Sequence, residues 1–273
     1  MTTLSVHVEG IGLWSPGLPD FAALPAWLAG QTSATPARPP AAMLPPNERR
    51  RATESVLLAI EVASQAVAMS GRDAAELACV FASAYNDQAL TDALCETLAR
   101  APAELSPTGF HNSVHNAPVG YWTIATGCHA PSTAVCAHEA SFGAGLLEAA
   151  VLACAEQRPV LLSCSDAGGR GTLVAITGCQ VSFGCALVLA PTQGEATLAT
   201  LDLSVTGTAI EPAHAAGAAD ALRMANHAAA ALPLLALIAA GQGHCRVRAA
   251  AALDLAIAVE QVSAASHRKE SHA

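Results

Sequence analysis

Aromatic side chains are scarce in this sequence, 4% of its residues, and charged ones make up only 13%. So little charge beside 52% hydrophobic residues excludes a disordered chain, which stays open by having few apolar groups and many charges. Lysine and arginine form no block longer than Arg49-Arg50-Arg51, and the net charge is −9. A nucleic-acid binder carries a basic stripe, so no nucleic-acid partner is expected.

Long apolar runs are missing as well. The C-terminal run Ala228–Ala240 contains Pro233 and is too short to span a bilayer. The opening MTTLSVHVEG has neither a basic patch nor a hydrophobic signal region. A soluble, cytoplasmic protein without stable membrane insertion is expected. The nine cysteines are odd in number and mostly set in apolar runs, which fits reduced thiols better than disulfides. Zinc-type C-x2-C pairs are absent, and His138-Glu139 lacks a histidine four residues after His138, where Phe142 stands. Cys128-His129 and Cys136-x-His138 have only a superficial ligand spacing, so neither metal nor cofactor is expected.

What is abundant is alanine and glycine, and a core of small side chains lets helices and sheets approach closely. Residues 4–11 alternate as a strand and end at the turn Ser15-Pro16-Gly17. A short amphipathic piece at Phe21–Leu28 and a proline-rich loop follow. Asn47 is placed to cap a helix running to Ser70, with Val56, Ile60 and Val67 on one face. Further strands are expected at Ala78–Ser83, Ser132–Ala137, Pro159–Ser165, Cys185–Ala190 and Ala196–Val205, with two short ones in Cys245–Ala258. Helices are expected at Gln88–Arg100, Ala140–Ala155 and within Ala215–Ala240, while Leu105–Asn116 reads as irregular. Alternating strands and helices make an α/β layered fold. The helix ASFGAGLLEAAVLACA has Glu148 as its only charge, and a helix apolar on every face is expected to be buried on every face.

The segments VHVEGIGLWSPG, LPPNERRRATESVLLAIEVASQA, SPTGFHNSVHNAPVGYWTIATG and APSTAVCAHEASFGAGLLEAA carry a family resemblance. They are similar to the ketosynthase branch of the thiolase-type fold, in which one helix is sandwiched between two sheets. The FHNSVHNAPVGYW stretch most closely resembles short ketosynthase-like chain-length factors of aryl polyene and xanthomonadin-type pigment pathways. The resemblance implies a thiolase-like α/β/α/β/α fold, cut short in its second half. It also implies one domain over residues 1–260 and a heterodimer with an active ketosynthase; residues 261–273, ending in HRKESHA, read as a disordered tail.

An ungapped alignment on the ketosynthase elbow puts Glu139 where the nucleophilic cysteine belongs. The second half holds His214, His227 and His244, none in the glycine-rich setting of the condensing histidines. Condensation by this chain alone is therefore not expected. The start of a buried helix favours a carboxylate as it does a thiolate, by about 0.3–1 kcal/mol. A carboxylate that accepted an acyl group would form a reactive anhydride, so Glu139 reads as a structural plug. Two alternatives stay open. Glu139 could decarboxylate malonyl groups as glutamine does in some ketosynthase relatives, although a carboxylate repels the malonyl charge. Cys136 could act as nucleophile with His138, on the same face of an extended strand, against the plainer reading of a small buried hydrophobe.

By resemblance, the segment Phe110–Trp122 crosses the dimer interface and floors the partner's acyl tunnel, with Phe110, His111, Val114, His115 and Tyr121 as tunnel or interface residues. Asn112 and Asn116 read as caps of neighbouring backbone. Arg49–Arg51 read as opening a helix, where the dipole disfavours cations, at a solvated junction or a docking spot for an acidic partner. An acidic chain does not steer an acidic acyl carrier protein, so the carrier is expected to dock through the ketosynthase.

Overall fold

The computed structural model describes residues 3–207 and 217–261. Its strands are β1 (Thr3–Trp14), β2 (Ala78–Ala82), β3 (Ser132–Val135), β4 (Val160–Asp166), β5 (Phe183–Ala190), β6 (Ala199–Thr206), β7 (Gln242–Ala250) and β8 (Leu253–Gln261). The α-helices are α1 (Leu24–Leu28), α2 (Pro46–Arg51), α3 (Glu54–Ser70), α4 (Gln88–Arg100), α5 (Pro107–Asn112), α6 (Ala117–Thr126), α7 (Ser141–Glu156), α8 (Val174–Thr177), α9 (Ala218–Ala225) and α10 (Leu232–Ala240).

One continuous sheet runs in the order β3-β2-β4-β5-β1-β6-β8-β7. The β3-β2-β4 pairings are parallel and all others antiparallel. β1 is the spine, pairing β5 on one side and β6 on the other. The alternating residues Val6 and Val8 face one core, while Glu9, at a register shift, is buried and held by the Arg72 guanidinium through two 2.7 Å bonds.

α3 packs on the outer face of β1, β5 and β4, and α7 on the inner face. α7 touches β1, β2 and β4 on one side and β7 on the other, so the bent sheet encloses it. The expected sandwiched helix is present, held between two arms of one sheet. Glycine permits the contacts. A Cβ at Gly12 would lie 1.8 Å from the Val62 carbonyl oxygen, and one at Gly143 2.1 Å from that of Arg248. α7 is not buried all round, however. Glu148, Val151 and Ala155 form a solvent-facing stripe at helical spacing, a face that the apolar composition did not separate from the rest.

The helix expected from Asn47 to Ser70 is two helices. Ala52 and Thr53 are extended, Ala52 is buried, and Thr53 takes the cap position of α3. The Asp87 carboxylate accepts from Ser55 N at 3.3 Å and from Leu90 N at 2.9 Å, capping the first turns of α3 and α4 together. Asn47 is no cap; Pro45 occupies that place for α2. Arg49–Arg51 consequently fill the last turn of α2, where the dipole favours cations, and make no ion pair among the described residues. The segment 105–116, expected to be irregular, contains α5, started by Ser106 Oγ accepting from Gly109 N. β8 extends to Gln261, pairing with Ala199, and the expected tail lies otherwise outside the described residues. No helix among the described residues is long and apolar enough to cross a membrane.

Candidate functional site at the elbow before α7

β3 ends at Val135, and a short 3-10 turn, His138–Ala140, leads into α7. Ser141 ties this elbow down. Its buried hydroxyl accepts from Ala137 N at 3.0 Å and donates to the His138 carbonyl at 2.7 Å. His138 sits at φ +52°, in the left-handed region that costs a non-glycine residue energy. Glu139 follows it and is exposed. The reason is geometric: the tight turn aims residue 139 outward and gives the inward place to Ala140.

Cys136 lies beyond the end of β3, so strand alternation does not set its direction. Its exposed thiol donates to the Ala84 carbonyl at 3.4 Å, and the His138 ring turns to the next residue, Tyr85. The two side chains thus reach the same loop, Ser83–Asp87, without bonding one another.

That loop rests on a buried carboxylate. Asp166 Oδ1, at the end of β4, accepts from Ser83 Oγ at 2.6 Å, Ala84 N at 2.9 Å and Tyr85 N at 3.1 Å. Asp166 Oδ2 is buried with no hydrogen-bond partner among the described residues. Burial raises the Asp166 carboxyl above its usual range, and the three donors and nearby His227 offset part of that rise.

Three side chains far apart in sequence meet above Asp166. Tyr85 Oη lies 2.7 Å from His138 Nε2 and 3.3 Å from His227 Nε2, and His227 Nε2 is 3.1 Å from the Thr177 carbonyl. The two imidazole rings are 5.6 Å apart, each about 5.5 Å from the tyrosine ring. His227 starts the 3-10 turn after α9. The preceding Asn226 fixes it, donating to the Asp166 and Val181 carbonyls at 2.8 and 2.7 Å. Burial, then the charges of Asp166 and Glu139, raise the Tyr85 phenol above its ordinary value, so it stands neutral. Neither Tyr85 nor His227 is singled out by its sequence surroundings. The usable signal was scarcity, since the chain has only two tyrosines.

The segment after α4 adjoins this cluster. Asn86 Nδ2 donates to the Val114 carbonyl at 3.0 Å, and His115 Nε2 lies 3.1 Å from the Ser83 carbonyl. Phe110, His111 and Val114 are exposed, Phe110 at 61%. Tyr121 donates to Asn112 at 3.2 Å, and buried Asn112 reaches the Arg51 carbonyl at 3.4 Å. Asn116 makes no cap bond at the start of α6. The cavity beside His115 measures about 10 Å³, room for one water and far less than an acyl chain needs. His244 is exposed on β7, distant in the sheet order from β2 and β4, and His214 lies outside the described residues. Among the described residues, no three His, Cys, Asp or Glu side chains gather as a metal-binding group.

Solved structures resemble the fold that holds this elbow. A structure of the ketosynthase ApeO in complex with its chain length factor ApeC, from Xenorhabdus doucetiae, matches with a TM-score of 0.71 at 23% identity, covering 93% of this chain and 99% of that one. The complex AntDE:AntF, a type II polyketide synthase acyl-carrier protein with its hexaketide-bound ketosynthase, matches with a TM-score of 0.75 at 12% identity, covering 96% and 100%. The ishigamide ketosynthase/chain length factor gives 0.67 at 14% identity, again covering 96% and 100%. None of the curated proteins compared matches the chain in sequence. At these identities the likeness carries the thiolase-like ketosynthase fold rather than an activity. The family model described as beta-ketoacyl synthase, N-terminal domain, matches residues 25–252, and the chain belongs to that family.

Proposed function

We propose that this chain is a chain-length factor: an accessory subunit that pairs with an active β-ketoacyl carrier-protein synthase and bounds its acyl tunnel, without condensing acyl groups itself. The observation that carries this reading is the elbow, where Glu139, an exposed carboxylate, stands at the position aligned with the nucleophile. Complexes of a ketosynthase with a chain length factor among the structural neighbours support the same partner. So does an exposed apolar set, Phe110, Val114 and Ile124, on the α5–α6 segment, which suits a surface covered by another subunit. The pathway implied is of aryl polyene type, with a cytoplasmic heterodimer and the carrier protein docking through the ketosynthase.

Copurification from the source organism tests this. A full-length ketosynthase recovered one-to-one is the expected result; a self-associated chain with no ketosynthase counts against it. In that event the independent enzyme returns, and the exposed Cys136 thiol, near His138 on one loop, is its candidate nucleophile, with Glu139 as the decarboxylating alternative.

A further inference from the structure

The hydrogen-bond geometry at the elbow has a direction. The Thr177 carbonyl can only accept, so His227 Nε2 carries a proton, which is shared between that carbonyl and Tyr85 Oη. Tyr85 Oη can accept from both rings or give its own proton to His138 Nε2 across 2.7 Å; only the second arrangement pairs the phenol proton within the cluster, and we adopt it. His138 Nε2 is the acceptor in that arrangement, a tautomer assigned from this network. The loop bearing Tyr85 is fixed by three donors on the buried Asp166, His138 is held in a left-handed conformation, and both Tyr85 and His138 reach the surface. A phenol donor and an imidazole acceptor pre-set in this way form an acid–base couple, and the accessory role has no use for one.

We propose that Tyr85 and His138 form a hydrolytic site for acyl thioesters, independent of Cys136 and Glu139. The Tyr85 hydroxyl turns from His138 Nε2 to the entering carbonyl oxygen, supported from behind by His227 Nε2–H. His138 Nε2, now free, takes a proton from a water whose oxygen attacks the carbonyl carbon. As the tetrahedral intermediate collapses, the C–S bond breaks and the proton on His138 passes to the departing sulfur. The products are a carboxylic acid and a thiol, and no other reactant is consumed.

The test uses the full chain and a short-chain acyl thioester of N-acetylcysteamine in heavy-oxygen water. Labelled carboxylic acid should form faster than in buffer. Tyr85→Phe and His138→Asn should each lower the rate about 10²-fold, within the range general acid–base groups supply. His244→Asn, near the start of β7 and outside the hydrogen bonds of the couple, should leave it unchanged. Nitrogen NMR gives a second readout: His138 Nε2 should report as a hydrogen-bonded acceptor, and Tyr85→Phe should remove that signature in a folded chain. Hydrolysis by the unaltered protein no faster than buffer, or rates unmoved by both substitutions, would overturn the proposal. Both variants should still copurify with a ketosynthase, so loss of hydrolysis and loss of pairing are read separately.

Discussion

At the scale of single residues, the buried Asp166 carboxylate organises the elbow while carrying an electrostatic cost. One of its oxygens accepts three bonds, and the other has none among the described residues. Its carboxyl is raised above the ordinary 3.8, so the folded state holds the Asp166 proton more tightly than the unfolded chain does. This group's contribution to stability is therefore most favourable below 3.8 and declines as pH rises through the raised folded value. Asp166→Asn keeps an oxygen for Ser83 and the two amides and does not titrate. Its stability relative to the unaltered protein should increase as pH rises across that window, measured by denaturant unfolding at a series of pH values. A stability difference that does not change with pH would show that Asp166 stays ionised at little cost. Residue-level reading of the sequence located the elbow and the oddity of Glu139. It missed Tyr85 and set His227 aside for want of a glycine-rich setting; the two lie 142 positions apart and share no motif. Only the chain path through α9 and the Asn226 bonds brings His227 to the elbow.

At the scale of elements, strands were the most legible, because period-two alternation is local and β1 is long. The buried β2, β4 and β5 were found as apolar runs between turn residues, close to their observed bounds. Helix ends were less so. The break at Ala52–Thr53 depends on Asp87, more than thirty positions away, accepting from Ser55 N, and no residue near the break announces it. α7 shows what element composition leaves undecided. Its apolar residues go nearly all round, yet Gly143 and Gly145 choose the faces that meet neighbours closely, Gly143 the Arg248 carbonyl and Gly145 the Ala82 and Leu162 side chains. Gly143→Ala would force β7 away from α7 and should cost about 2–3 kcal/mol, a typical overpacking penalty, seen as a lowered unfolding midpoint. An unchanged midpoint would mean that β7 moves away from α7 without loss.

At the scale of the whole molecule, the proposed function rests on a surface this chain leaves open. Phe110 and Val114 are exposed beside a loop that also carries Tyr85. On the proposed reading, the acyl tunnel bounded by this segment belongs to the ketosynthase partner. Within a reconstituted ketosynthase complex, Phe110→Ala should lengthen the product, read by mass spectrometry of the released chains. Unaltered product length across Phe110, Val114 and His115 replacements would remove the segment from that role. The sequence by itself determined the layered α/β class, the helix inside it and the carboxylate at the elbow, because periodicity, composition and a contiguous motif are properties of neighbouring residues. Tertiary structure alone decided that one bent sheet encloses α7, that Glu139 faces outward, and that a tyrosine and two histidines converge there. Those outcomes depend on contacts between distant segments, whose energies no local pattern records.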